Sequence, residues 1–258
     1  MYAALCFDLD GTLARFAGDF DELLDGLRTD LGLLACDFTT FRRRVSTELR
    51  REGPLTLRSA LRIALEGLEL RVPDDLGPVV ERTVLDYANA MALREGAEAL
   101  LARLDRLRVP MALISNGPDD MQRAALAALG IERYFTVVLI SGDPDVAVRK
   151  PHPRIFDLAC SGLATSPADT VMIGDDLESD IAGALAFGMA AILVSESGDE
   201  WAGAGAVGRA GAELAAGGPC AEASAGGADA AGRAGAQTVT DLSALDCVLK
   251  ARLKARTA

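Results

Sequence analysis

Residues 3–12 read Ala-Ala-Leu-Cys-Phe-Asp-Leu-Asp-Gly-Thr: five small or apolar residues, two carboxylates flanking a leucine, then a glycine and a hydroxyl. An unbroken apolar run of this length predicts a strand buried on both faces, as in a parallel sheet. The polar residues after it predict a loop at the carboxyl end of that strand, where ligands bind in open parallel sheets. Asp8 and Asp10 are two residues apart, so both side chains can leave to one side as the strand ends. Gly11 permits a tight turn, and Thr12 can brace the loop by hydrogen bonding.

Beyond Gly96 the same grammar repeats. A helix near 96–107 leads to a strand over 109–115, a helix over 119–129 and a strand over 135–140. A helix over 153–163, a strand over 170–173, a helix near 179–187 and a strand over 190–194 follow. Strand–helix alternation of this kind predicts an α/β fold, a doubly wound, Rossmann-like parallel sheet with helices on both faces. The first strand is expected to join that sheet.

Between them, residues 19–93 carry a different period. Phe20, Leu23, Leu24, Leu27 and Leu31 recur at helical spacing, as do Phe38, Phe41, Val45 and Leu49. Two more such stretches run from Leu57 to Leu68 and from Leu76 to Ala88, with Gly53-Pro54 and Val72-Pro73-Asp74 as punctuation. The pattern predicts an inserted α-helical bundle without strands. The expected division is a core of residues 1–15 and 94–258 with a helical domain over 16–93. Residues 202–236 are dominated by Ala and Gly without apolar periodicity, which predicts a flexible surface insertion. A last short strand over 237–240 and a helix over 241–255 close the chain.

The charge balance, 26 basic against 38 acidic residues for a net −12, argues against nucleic acid, whose binding requires a basic surface. It permits a small phosphorylated metabolite whose charge is met by a metal and one or two local cations. Five scattered cysteines without CxxC spacing read as reduced thiols, and the residues before Asp8, with no basic stretch or long apolar span, give no expectation of a leader. The expectation is a cytoplasmic protein with no membrane partner; oligomeric state is not legible.

Four polar clusters follow four expected strands in order: Asp8-Leu9-Asp10-Gly11-Thr12, Ser115-Asn116-Gly117, Lys150-Pro151, and Gly174-Asp175-Asp176 with Asp180. Any one alone is ordinary turn chemistry. Together they resemble the four signature motifs of the haloacid dehalogenase-like superfamily, in its phosphatase branch with a helical cap after the first motif. The resemblance covers about residues 4–195 and resumes at 238–250. It implies a Mg²⁺-dependent phosphomonoester hydrolase forming a phospho-aspartate on Asp8. Asp10 would then protonate the leaving oxygen and later deprotonate water. The implied metal ligands are the Asp8 carboxylate, the Asp10 backbone carbonyl and the Asp175 carboxylate. Ser115, with the backbone N–H groups of Asn116 and Gly117, would hold a phosphoryl oxygen, and Lys150 would neutralise its charge. Thr12, Asp176 and Asp180 would stand behind these groups, orienting waters or Lys150; helix N-terminal charge is the plainer role for Asp176.

Ala147 stands near the third motif where the family commonly has glycine. His152, the only histidine, merely follows the lysine motif, and Trp201 reads as a packing anchor. The arginines of the insertion, Arg42-Arg43-Arg44, Arg50, Arg51, Arg58 and Arg62, read as a solvated face from which one residue could grip a second acidic group. A sugar-phosphate phosphomutase is the nearest alternative function. The cap of such mutases typically carries a histidine and a lysine, and residues 14–93 contain neither. The missing cap lysine also disfavours a phosphonate-cleaving role. Dehalogenation is disfavoured by Asp10, which those relatives usually lack. A non-catalytic phosphometabolite-binding protein is the alternative from another class.

Overall fold

The computed structural model describes residues 1–195 and 236–253. Six parallel strands form one sheet: β1 (Ala4–Phe7), β4 (Met111–Ser115), β5 (Val137–Ile140), β6 (Thr170–Gly174), β7 (Ala190–Val194) and β8 (Gln237–Val239). Their order is β5-β4-β1-β6-β7-β8. From β1 the chain builds outward through β4 and β5, then returns to the other side of β1 for β6, β7 and β8. The reversal falls at β1, so its carboxyl end is the topological switch point where such sheets open a crevice.

Alternation along the strands sorts the core into two layers. Leu5, Phe7, Leu113, Val171, Ile173 and Ile192 face one side, with helices α5 (Ala97–Arg106), α6 (Asp119–Leu129) and α9 (Leu242–Arg252). Ala4, Cys6, Ala112, Ile114, Met172 and Ala191 face the other, with α7 (Pro153–Gly162) and α8 (Gly183–Phe187). Every residue of β1, β4, β6 and β7 is buried, which is what a two-sided parallel sheet requires.

The insertion holds four helices, α1 (Phe20–Asp30), α2 (Phe38–Glu48), α3 (Leu57–Gly67) and α4 (Gly77–Ala90). Asp19 and Asp37 cap α1 and α2 by accepting first-turn N–H groups, and Thr56 with Ser59 forms a reciprocal capping box on α3. The expectation of a bundle without strands is corrected. Strand β2 (Ala14–Phe16) pairs antiparallel with β3 (Met91–Leu93), joining the two ends of the insertion in a short ribbon. Three residues per strand are too few to print a period of two.

A further tie lies away from the ribbon. The Leu55 N–H donates to the Gly142 carbonyl at 2.9 Å, and its carbonyl accepts from the Asp119 N–H at 2.8 Å. The Leu57 N–H donates to the Asp120 carboxylate at 2.9 and 3.0 Å, so the start of α3 is fastened to the start of α6. The expected Ala/Gly-rich insertion over 202–236 lies outside the described residues save Ala236, as do Trp201, Cys220 and the last residues of the expected closing helix. No helix among the described residues is long and apolar enough to cross a membrane.

Candidate active site

Three neighbouring strands, β4, β1 and β6, and the loop after β5 deliver the four polar clusters to one place. Asp8 follows β1 directly, and its N–H donates to the Ile173 carbonyl of β6 at 2.9 Å, so the ladder itself fixes its backbone. Its side chain is buried. Lys150 donates from Nζ to Asp8 Oδ1 at 2.6 Å and lies 2.7 Å from Asp180 Oδ1, with all three residues buried. The second oxygen, Asp8 Oδ2, is buried with no hydrogen-bond partner.

Burial pushes the Asp8 carboxyl well above the usual carboxylate range; Lys150 pulls it down, and Asp180 and Asp175 push it further up. For Lys150, burial pulls the ammonium down, but Asp8 and Asp180 more than offset this and hold it above its ordinary value. A lysine so placed stays charged. Asp175 is raised chiefly by burial and then by Asp180, while Thr12 Oγ1 donates to its Oδ1 at 3.2 Å and lowers it.

Carboxylate oxygens of Asp8, Asp175 and Asp180 all lie within 4.8 Å of one another. One ammonium does not balance three carboxylates, and Asp8 Oδ2 is buried without a donor. That orphaned oxygen, with hard-oxygen neighbours, fits a divalent cation of the Mg²⁺ kind. Gly11, at φ +89°, is what lets the loop pass: a Cβ there would overlap the Asp175 carboxylate.

Asp10 receives two donors that the sequence did not disclose. Tyr87 of α4 donates its hydroxyl to Asp10 Oδ1 at 3.1 Å, and Gln122 of α6 donates from Nε2 to Oδ2 at 3.0 Å. Burial raises Asp10 above its ordinary value, and these two hydrogen bonds lower it again by a smaller amount. Tyr87 stacks on Phe16 at 5.5 Å between ring centroids, so its aim is set by the ribbon. A single tyrosine in an apolar helical stretch reads as core. Gln122, in the first turn after Ser115-Asn116-Gly117, carried a positional signal, because that helix start faces the crevice.

Ser115 Oγ donates to Gln122 Oε1 at 3.0 Å, which links the second cluster to Asp10. Asn116 and Lys150 exchange two bonds: Nδ2 donates to the Lys150 carbonyl at 3.0 Å, and the Lys150 N–H donates to Oδ1 at 2.9 Å. Asn116 thus holds the lysine loop, a role its side chain was not assigned. The Gly117 N–H donates to Ser141 Oγ at 3.0 Å, so it is engaged within the protein rather than offered to a phosphoryl oxygen. Asp176 accepts from the Glu178 and Ser179 N–H groups at 2.9 and 2.7 Å, the helix N-terminal role, while Asp180 takes the contact to Lys150. His152 is exposed and caps α7 through Nδ1. Ala147 adopts φ +53°, the left-handed region where a side chain is strained, which explains why glycine suits this position.

A cleft of about 740 Å³ opens over Asp10, between α2, α4 and the first turn of α6. The expected solvated arginine face divides in two. Arg44 and Arg51 pair with the buried Glu48 at 3.1 Å each, whereas Arg42, Arg43 and Arg50 line the cleft.

A family model described as haloacid dehalogenase-like hydrolase matches residues 2–188. A phosphoserine phosphatase from Thermus thermophilus is 39% identical over 98 residues, 38% of this chain and only 39% of that protein. A phosphoglycolate phosphatase from Xanthomonas campestris is 30% identical over 190 residues, 73% of this chain and 81% of that protein. Among solved structures, a phosphatase of this family from Thermococcus onnurineus superposes with a TM-score of 0.57 at 25% identity, covering 78% of this chain and 90% of that one.

Proposed function

Because the chain belongs to the haloacid dehalogenase-like hydrolase family, we propose that it hydrolyses the phosphate monoester of a small metabolite through a covalent phosphoryl group on Asp8. The observation that carries this reading is the pair of facts at Asp8: one oxygen held by Lys150, the other buried and free of donors, on a carboxylate grouped with those of Asp175 and Asp180. A Mg²⁺ ion held by the Asp8 and Asp175 carboxylates and the Asp10 carbonyl would supply charge neutralisation at the phosphoryl oxygens.

The residues divide the work as follows. An Asp8 oxygen attacks phosphorus while the bond to the leaving alkoxide breaks. The proton for that alkoxide comes from Asp10, whose carboxyl is raised by burial and aimed by Tyr87 and Gln122. Asp10 then takes a proton from water as the water oxygen bonds phosphorus and the aspartyl–phosphorus bond breaks. Lys150 keeps its positive charge against the transferring group throughout, and the Ser115 hydroxyl turns from Gln122 to a phosphoryl oxygen. The helical insertion acts as a cap, bringing Tyr87 to Asp10 and closing water out. The acidic net charge favours a small metabolite over nucleic acid, and the free cysteines among the described residues suit a cytoplasmic setting.

The test is Asp8→Asn. Release of phosphate from a generic aryl phosphate in Mg²⁺ is expected to fall at least about a thousandfold with the fold intact. Unchanged turnover in that variant removes the mechanism.

A further inference from the structure

The chain is acidic by 12 charges, yet the cleft over Asp10 is lined by four arginines and a single carboxylate, that of Asp10. Arg42 is matched by Asp21 at 2.5 Å. Among the described residues, no carboxylate stands within ion-pair distance of Arg43, Arg50 or Arg149. They come from different elements. Arg43 lies on α2, Arg50 stands in the turn just past the end of that helix, and Arg149 directly precedes Lys150 in the core. Nη1 of Arg149 is buried without a hydrogen-bond partner. Burial lowers that guanidinium, Glu52 opposes the effect and Arg50 adds to it. Like charges facing one cleft are costly until an anion sits among them, and a guanidinium fork matches a carboxylate or phosphate.

We infer that this cleft is a second anion site, so that the substrate is a phosphomonoester whose carbon skeleton carries a further carboxylate or phosphate, held by Arg43, Arg50 and Arg149. The inference rests on the phosphatase reading above and narrows its substrate class. A cleft of about 740 Å³ suits a small metabolite held at both ends. The adjacency of Arg149 and Lys150 places the grip on the second anion beside the group that answers the first.

The test compares matched esters in Mg²⁺: phosphooxyacetate, ethylene glycol bisphosphate and 2-hydroxyethyl phosphate. The wild-type protein is expected to favour the two esters that carry a second anionic group in kcat/KM by roughly tenfold to a hundredfold. That ratio should collapse towards one in Arg50→Gln and Arg149→Gln and be partly restored in Arg149→Lys. Whichever of the two esters with a second anionic group is preferred identifies that anion as carboxylate or phosphate. No preference in the wild type, or a ratio that survives both glutamine substitutions, overturns the inference. A second readout does not need turnover: calorimetry of phosphooxyacetate binding to the Asp8→Asn protein, with and without Arg50→Gln. Arginine-dependent binding there, with no ester hydrolysed by the wild type, sinks the phosphatase reading and leaves the anion site standing. Binding indifferent to Arg50 overturns the site while turnover of the aryl phosphate keeps the enzyme.

Discussion

Asp8 illustrates how one side chain inherits its chemistry from its surroundings. Strand β1 fixes its backbone, Lys150 holds one oxygen and burial strips water from the other. Gly11 shapes the same site by what it lacks. In Gly11→Ala the methyl group meets the Asp175 carboxylate, and the φ of +89° becomes strained by about 1–2 kcal/mol. The variant is expected to lose phosphatase turnover about a hundredfold, as for a displaced reacting group, and to weaken Mg²⁺ binding. A metal titration followed by thermal shift checks it, and wild-type affinity would refute the role given to Gly11. At this scale much of the site was legible, because Asp8, Ser115 and Asp175 each stand at or just after the end of an apolar run. Tyr87 and Gln122 were not legible as partners of Asp10. Nothing in an apolar helical stretch distinguishes a tyrosine that packs from one that also donates a hydrogen bond.

Among the elements, the periodic ones could be read and the short ones could not. Helices α1 to α4 carry apolar stripes, α1 to α3 with side-chain caps, and the buried strands carry unbroken apolar runs. The β2–β3 ribbon escaped because its partners are three residues long and lie at opposite ends of the insertion. The clasp at Leu55 escaped because it is made of backbone groups, which leave no mark on composition. Gly142 shows its importance: a Cβ there would lie 2.5 Å from the Leu55 carbonyl oxygen, 2.6 Å from that of Gly117 and 2.7 Å from the Asp119 nitrogen. All three are backbone atoms, so no rotamer change relieves the overlap. Gly142→Ala is expected to destabilise the fold by about 1–3 kcal/mol, lowering Tm by roughly 3–10 °C. Thermal unfolding by circular dichroism measures it, and an unshifted Tm would show that the clasp yields freely.

Across the whole molecule, apolar packing does not stop at the junction between sheet and insertion. Leu24, Phe41, Leu61 and Val80 of the bundle belong to one continuous buried cluster with Leu5, Phe7 and Ile173 of the sheet. Parts that share a core lose it together. Calorimetry is therefore expected to record one cooperative unfolding transition, and two resolved transitions would show the insertion to be a separate folding unit. The parallel sheet was readable from alternation, whereas its strand order, its switch point and this shared core were not, since periodicity tells which face is buried but not against what.

The hydrogen-bond ladder at β1 and β6 carries Asp8 and Asp175, while α2, packed on α1 and α3, carries Arg43 and leads directly to Arg50. In the proposed reading, two of the three arginines that grip the second anion thus come from the insertion, and Arg149 alone stands beside the groups that break the ester. Exchanging the outward-facing residues of 38–50, with Phe41, Val45 and Glu48 kept, would re-target such an enzyme while the groups at the sheet stay as they are, so that a lineage can change diet without relearning its reaction.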